Sequence, residues 1–202
     1  MAITTILFDL GKTLVDFDFE PVNQRLTESS KLSAEVAKQR TKDRYNAFCR
    51  GEMTAVEWQK FIETDYNLRM SSEEFRRFWA DIFWPIDKMF ELAHRTKKHY
   101  RQYLLSNTDE IHLPWCMERY AERFEGLLDG MILSYEAGAI KPDRRIFEYG
   151  TERFDLVPEA CVFIDDLPEN IEAARDFGMH GIVITSPAQV ESELQALGVR
   201  TA

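Results

Sequence analysis

Five short apolar runs, each closing on a polar residue and spaced widely enough for helices between them, constrain this chain more than any other feature. They are residues 4–9 (TTILFD), 101–107 (RQYLLSN), 130–134 (GMILS), 161–165 (CVFID) and 181–185 (GIVIT). Near-continuous apolar runs of this length suit strands covered on both faces, which is the setting of a parallel sheet. Helical patterns over 87–99, 114–124, 142–154 and 168–177 fall between the later runs. The alternation predicts an α/β fold with a doubly wound parallel sheet and right-handed crossovers.

One stretch breaks the rhythm. Residues 17–84, between the first run and the second, read as helices throughout, with apolar positions at helical spacing in Val22 and Leu26, in Trp58, Phe61 and Ile62, and in Phe75, Phe78, Trp79 and Ile82. That is too long for a single crossover, so it is read as a small helical domain inserted after the first strand. The expected division is residues 1–16 and 85–202 for the α/β domain and 17–84 for the insertion. Gly51 marks a turn between helices, and the aromatics Phe48, Trp58, Phe61, Phe78, Trp79, Phe83 and Trp84 are expected to form the insertion's own core.

Composition narrows the partners. A chain of 202 residues with a formal charge of −10 repels nucleic acid and anionic membrane surfaces. A small anionic substrate is still admissible, because one metal ion or lysine reverses the potential locally. Cys49, Cys116 and Cys161 are odd in number and widely spaced, which argues against a disulfide framework or a zinc knuckle and suits a reducing compartment. The start, Met1-Ala2-Ile3-Thr4-Thr5, lacks the basic segment of a signal peptide, and no apolar run approaches the ~20 residues of a spanning helix. The expectation is a cytoplasmic protein, monomeric or homodimeric.

In an open α/β sheet, ligands bind beyond the carboxyl ends of the strands. The polar residues there are Asp9, then Ser106 and Asn107, then Asp165 and Asp166, with Lys141 in the loop ahead of the helix that starts near Pro142. Three carboxylates on one rim repel one another unless a cation joins them or one takes a proton. An all-oxygen set of this density suits Mg²⁺. One carboxylate is left to attack, and with a phosphate ester as acceptor the product is an aspartyl-phosphate. Lys141 and the cation then offset the charge of the transferring group, with the Ser106 hydroxyl and backbone N–H groups after Asp9 as donors.

The segments Asp9-Leu10-Gly11-Lys12-Thr13-Leu14, Ser106-Asn107, Lys141-Pro142 and Asp165-Asp166 with Asn170 resemble, in order, the four motifs of the haloacid dehalogenase-like hydrolases. The resemblance spans essentially the whole chain, because the helical insertion corresponds to that superfamily's cap domain and the α/β part to its Rossmann-like core. It implies that Asp9 is the nucleophile and a metal ligand, and that the Gly11 carbonyl and Asp165 are further ligands. It also implies that Asp166 acts on the metal through water, that Ser106 and Asn107 hold the phosphoryl group, and that Lys141 neutralises it. The sequence is similar in particular to the bacterial glucose-1-phosphate phosphatase-like subgroup, through the Asp-Leu-Gly start, Val15–Phe19 and Arg50-Gly51-Glu52. A small phosphorylated metabolite, such as a hexose 1-phosphate, is then the expected substrate.

Gly11 departs from the general pattern, since most phosphatases of the superfamily carry an acid–base aspartate at that position. Such a group is worth about 10²–10⁴-fold. Asp16 or Asp18 is the candidate replacement, and an easily departing sugar 1-phosphate would soften the loss. Two rivals follow: a metal-independent 2-haloacid dehalogenase, opposed by the intact Asp165-Asp166, and a catalytically quiet phosphate-ligand-binding protein, suggested by Gly11. Blander local readings also exist. Ser106-Asn107 reads equally as a turn, Lys141 as a solvated loop lysine, and Asp166-Leu167-Pro168-Glu169 as a capping box opening a helix. Asn170 reads as a residue that orients its neighbours. Of the four histidines only His112 lies near the active edge.

Overall fold

The computed structural model describes residues 1–30 and 33–202. In chain order the elements are β1 (Thr5–Phe8), β2 (Val15–Phe17), α1 (Glu20–Ser29), α2 (Ala34–Cys49), α3 (Ala55–Asp65), α4 (Ser72–Ala80), β3 (Phe83–Pro85), α5 (Asp87–Lys97) and β4 (Arg101–Ser106). There follow α6 (His112–Arg119), α7 (Ala121–Phe124), β5 (Gly130–Leu133), α8 (Ser134–Ala137), α9 (Arg144–Phe154), β6 (Cys161–Asp165), α10 (Pro168–Asp176), β7 (His180–Val183) and α11 (Pro187–Ala196).

Five strands form a sheet of order β5-β4-β1-β6-β7, and every neighbouring pair is parallel. Successive side chains of a strand point to opposite faces, and both faces are covered here. Ile6 and Phe8 of β1 join Leu104, Val162 and Ile164 in one cluster with Phe90 and Ala93 of α5 and Val190 and Leu194 of α11. Leu7 joins Tyr103, Leu105, Cys161 and Phe163 in a second, against Ile146 and Phe147 of α9 and Ile171 and Ala174 of α10. This two-sided burial is why the strands read as unbroken apolar runs. The chain leaves β1 for β4 and β5 on one side and returns to β6 and β7 on the other, so the order reverses beside β1.

Between β2 and β3 lie the four helices α1–α4, with their own buried cluster of Val22, Leu26, Phe48, Trp58, Ile62, Tyr66, Phe75 and Trp79. Thr54 and Ser71 open α3 and α4 with complete capping boxes, to Glu57 and Glu74. Phe61, Phe78 and Phe83 pack against this cluster, whereas Trp84 is exposed. Residues 31 and 32 of the segment read as helical lie outside the described residues.

Several local expectations need correcting. The segment 17–84 is not helical throughout, because Val15–Phe17 and Phe83–Pro85 pair as an antiparallel ribbon at its two ends. Three-residue strands are too short to show a period of two. The helix expected over 114–124 starts at His112 and breaks at Tyr120. Helix α11, where no helix was expected, follows β7 and packs with α5. The capping box at Asp166 is absent: Leu167 is the N-cap of α10 and no side chain caps it.

Candidate active site

Asp9 follows β1 directly and donates its N–H to the Ile164 carbonyl at 2.9 Å, which carries the strand pairing one residue past the sheet. The chain then doubles back. Leu14 and Val15 both donate to the Leu10 carbonyl at 2.9 Å, Gly11 forms an isolated bridge with Val15, and Lys12 takes a positive φ of 56°. This tight loop leaves Asp9 only 8% exposed.

Lys141 arrives from the loop after α8 and is buried beside it. Its Nζ donates to Asp9 Oδ1 at 2.6 Å, to Asp165 Oδ2 at 2.7 Å and to the Leu105 carbonyl at 3.0 Å. An ammonium has three donors, and all three are used. Asn107 holds this lysine by its backbone: its Oδ1 accepts the Lys141 N–H at 2.7 Å and its Nδ2 donates to the Lys141 carbonyl at 3.0 Å. The structure therefore sets the Asn107 amide against Lys141, whereas Ser106 is buried at the end of β4, next to β1.

Asp165 ends β6 with no exposure. Its Oδ1 accepts the Leu167 N–H at 2.8 Å and its two oxygens accept Asn170 Nδ2 at 2.9 and 3.0 Å. Asn170 thus orients a carboxylate, as its place one helical turn beyond Asp166 suggests. Asp9, Asp165 and Asp166 each present a carboxylate oxygen within 4.8 Å of one another. The donors are hard oxygens only, with no cysteine or histidine among them, and this chemistry fits Mg²⁺ or a similar ion.

Burial pushes the Asp9 carboxyl up to about 6; the neighbouring Asp165 adds to the rise and the Lys141 ammonium opposes it. Burial disfavours charge on Lys141, but Asp9 and Asp165 outweigh it and raise its pKa. Asp166 is raised by burial and then by Asp165. Like charges crowded in a dry pocket are costly, and a divalent cation relieves that cost.

Beside Gly11 lies the ring of Phe17. A Cβ added to Gly11 would stand 2.8 Å from Phe17 Cε1, and this ring is packed edge-on against Phe19 and Phe83. Lys12 Nζ lies 4.7 Å from the Phe17 ring centroid and binds the Phe17 carbonyl at 2.9 Å. Asp16 is paired with Lys12, whose hydrogen bond holds its carboxyl below the usual range. An ionised, paired carboxylate is a poor proton donor, which corrects the expectation that Asp16 replaces the acid. Asp18 instead accepts the Glu20 N–H. Phe17 escaped the sequence reading because nothing local signals that an aromatic folds back over a glycine six residues earlier.

A haloacid dehalogenase-like hydrolase family profile matches residues 3–178. The chain belongs to that family. Over 96% of its length it is 25% identical to a D-ribitol-5-phosphate phosphatase of Bacteroides thetaiotaomicron, covering 98% of that protein. Its fold superposes on a HAD-family enzyme of the same organism with a TM-score of 0.82 at 24% identity, covering 90% of this chain and 93% of the other. That enzyme has also been solved with magnesium and inorganic phosphate, and this form gives a TM-score of 0.76. An L-2-haloacid dehalogenase is more distant in fold, with a TM-score of 0.62 at 20% identity, covering 89% of this chain and 83% of the other. The HAD-like assignment thus stands on the family profile as well as on the motifs. No helix among the described residues is long and apolar enough to cross a membrane.

Proposed function

We propose that the chain is a Mg²⁺-dependent phosphatase that hydrolyses a small sugar or polyol phosphate through an aspartyl-phosphate on Asp9. The observation that carries this reading is the Lys141 ammonium set between Asp9 and Asp165, on a rim where Asp166 completes an all-oxygen triad. Kinship with a phosphatase over nearly the full length of both chains supports it.

Asp9 attacks the phosphorus in line, so that an Asp9 oxygen–phosphorus bond forms as the ester P–O bond breaks. Water then attacks the same phosphorus, releasing inorganic phosphate and the free carboxylate. Lys141 offsets the charge on the transferring group, and Asn107 keeps Lys141 in register through its backbone. Ser106 offers its hydroxyl to a phosphoryl oxygen. Asp9, Asp165, Asp166 and the Gly11 carbonyl would hold Mg²⁺, which when bound supplies positive charge against the phosphoryl oxygens. The helices between β2 and β3 act as a cap that excludes water and sets specificity.

Within the substrate class, the Phe17 ring over Gly11 favours esters whose leaving group departs without a strong acid. A hexose 1-phosphate meets that requirement better than a primary alkyl ester does. Release of inorganic phosphate from a sugar-phosphate panel, dependent on Mg²⁺ and lost in Asp9→Asn, is the expected result. Metal-independent turnover of 2-haloacids would overturn the reading. Tight binding of fluoride–metal phosphate mimics without turnover of any ester would instead mark a quiet binding protein.

A further inference from the structure

The loop after Asn107 carries a buried charged pair that the chemistry above does not use. Asp109 and His112 are 0% and 2% exposed. Asp109 Oδ1 accepts the N–H groups of Ile111 and His112, each at 2.8 Å. Its Oδ2 lies 2.7 Å from His112 Nδ1, as an ion pair out of line with the ring N–H. Burial acts to raise the Asp109 carboxyl, but the His112 charge and these donors outweigh it and hold it below the usual range.

His112 also reaches helices α2 and α4 and the chain segments that flank the helical block. Nε2 lies 3.0 Å from the Trp79 carbonyl and Nδ1 3.1 Å from the Tyr45 hydroxyl. The ring lies 5.5 Å from that of Trp79 at an interplanar angle of 17° and meets Phe19 and Phe83 edge-on. Cys49, Cys116 and Tyr135 are further titratable groups near Asp109, and burial keeps both thiols and the phenol protonated. A carbonyl only accepts, so Nε2 carries a proton. Nδ1 in turn lies against the Asp109 carboxylate oxygen and the Tyr45 hydroxyl. A neutral ring would leave a lone pair against an acceptor in a dry site, which is costly.

We propose that His112, as an imidazolium, is the positioning residue that couples docking of the helical block to the phosphate-binding loop. One end of the contact chain is Trp79 and Tyr45 on α4 and α2; the other is Asp109, two residues from the Asn107 that clamps Lys141. The ring touches neither substrate nor reacting atoms. The inference rests on reading the helical block as a cap, and its test separates the two.

In His112→Gln the amide can still reach the Trp79 carbonyl while the charge is lost. Its kcat/KM is expected to fall about ten-fold for the best sugar phosphate and to change little for acetyl phosphate, which is too small to need the cap. An equal fall for both substrates, or no fall for either, overturns the proposal. Two readouts need no turnover. Nitrogen NMR of the His112 ring is expected to show protons on both nitrogens, and a singly protonated ring overturns the proposal. Trp79 emission, taken as the difference from Trp79→Phe, is expected to be quenched in the wild type and to brighten in His112→Gln; unchanged emission overturns it. Should Gln at 112 fail to fold, Asp109→Asn with His112→Phe removes both charges at similar volume and is read the same way. If no ester is turned over, the phosphatase reading fails and the NMR and emission results still decide the coupling.

Discussion

Replacing Asp9 by Asn removes the proposed nucleophile, yet it is expected to make the metal-free protein more stable at alkaline pH. The Asp9 carboxyl is pushed from 3.8 to about 6 in the fold, first by burial. A folded pKa above the unfolded one means that the neutral form is favoured by folding. The corresponding stability is fully present below 3.8 and is lost as pH rises through 6. The gap is about two pH units at roughly 1.4 kcal/mol each, so ionised Asp9 costs roughly 3 kcal/mol at pH 8. Asn stands in for the neutral carboxyl at all pH values. For a chain of this size that gain corresponds to roughly 6–12 °C in Tm. The assay is thermal unfolding of wild type and Asp9→Asn at pH 4 and pH 8 in chelator, then with excess Mg²⁺. The variant should melt higher at pH 8 and level with wild type at pH 4, and Mg²⁺ should narrow the gap by stabilising the wild type. A variant no more stable than wild type at pH 8 would refute the claim that Asp9 is held charged at a cost.

Three further outcomes are expected. Asn107→Ala frees the Lys141 backbone that Asn107 clamps on both sides, so kcat should fall by up to about 100-fold with the far-UV spectrum intact; unchanged kcat counts against the clamp. Asp165→Ala should weaken activation by Mg²⁺ at least ten-fold while the protein stays folded, read from a Mg²⁺ titration of activity, and an unshifted titration removes Asp165 from the metal site. Gly51→Ala places a Cβ 2.3 Å from the Tyr135 carbonyl at a φ of +69°, where helix α2 turns into α3 against the α/β body. The expected loss is roughly 2–4 kcal/mol together with a raised KM; an unaltered denaturant midpoint would contradict that close approach.

Much of the site was legible in the chain because it lies at strand ends. Asp9 and Asp165 each follow a run of residues buried on both faces, so a one-dimensional pattern of apolar residues announces their position. The same logic marked the helical block, where apolar side chains repeat at helical spacing and Thr54 and Ser71 cap α3 and α4. The ribbon of β2 and β3 was not legible, since three residues carry no period and their pairing joins positions that lie far apart in the chain. Nor was the duty of Asn107, whose amide could as well close a turn as clamp another loop.

By itself, then, the sequence determined the layered α/β architecture, the helical insertion and the set of polar residues at the carboxyl edge. These follow from burial periodicity and strand termination, which are local properties. Only the tertiary structure decided how those residues are shared. It placed the Lys141 ammonium between two carboxylates, laid Phe17 over Gly11 and brought His112 against Trp79 and Tyr45. Each of these contacts joins segments whose meeting depends on chain reversal and three-dimensional packing, and side-chain geometry at that range has no periodic signature in the sequence.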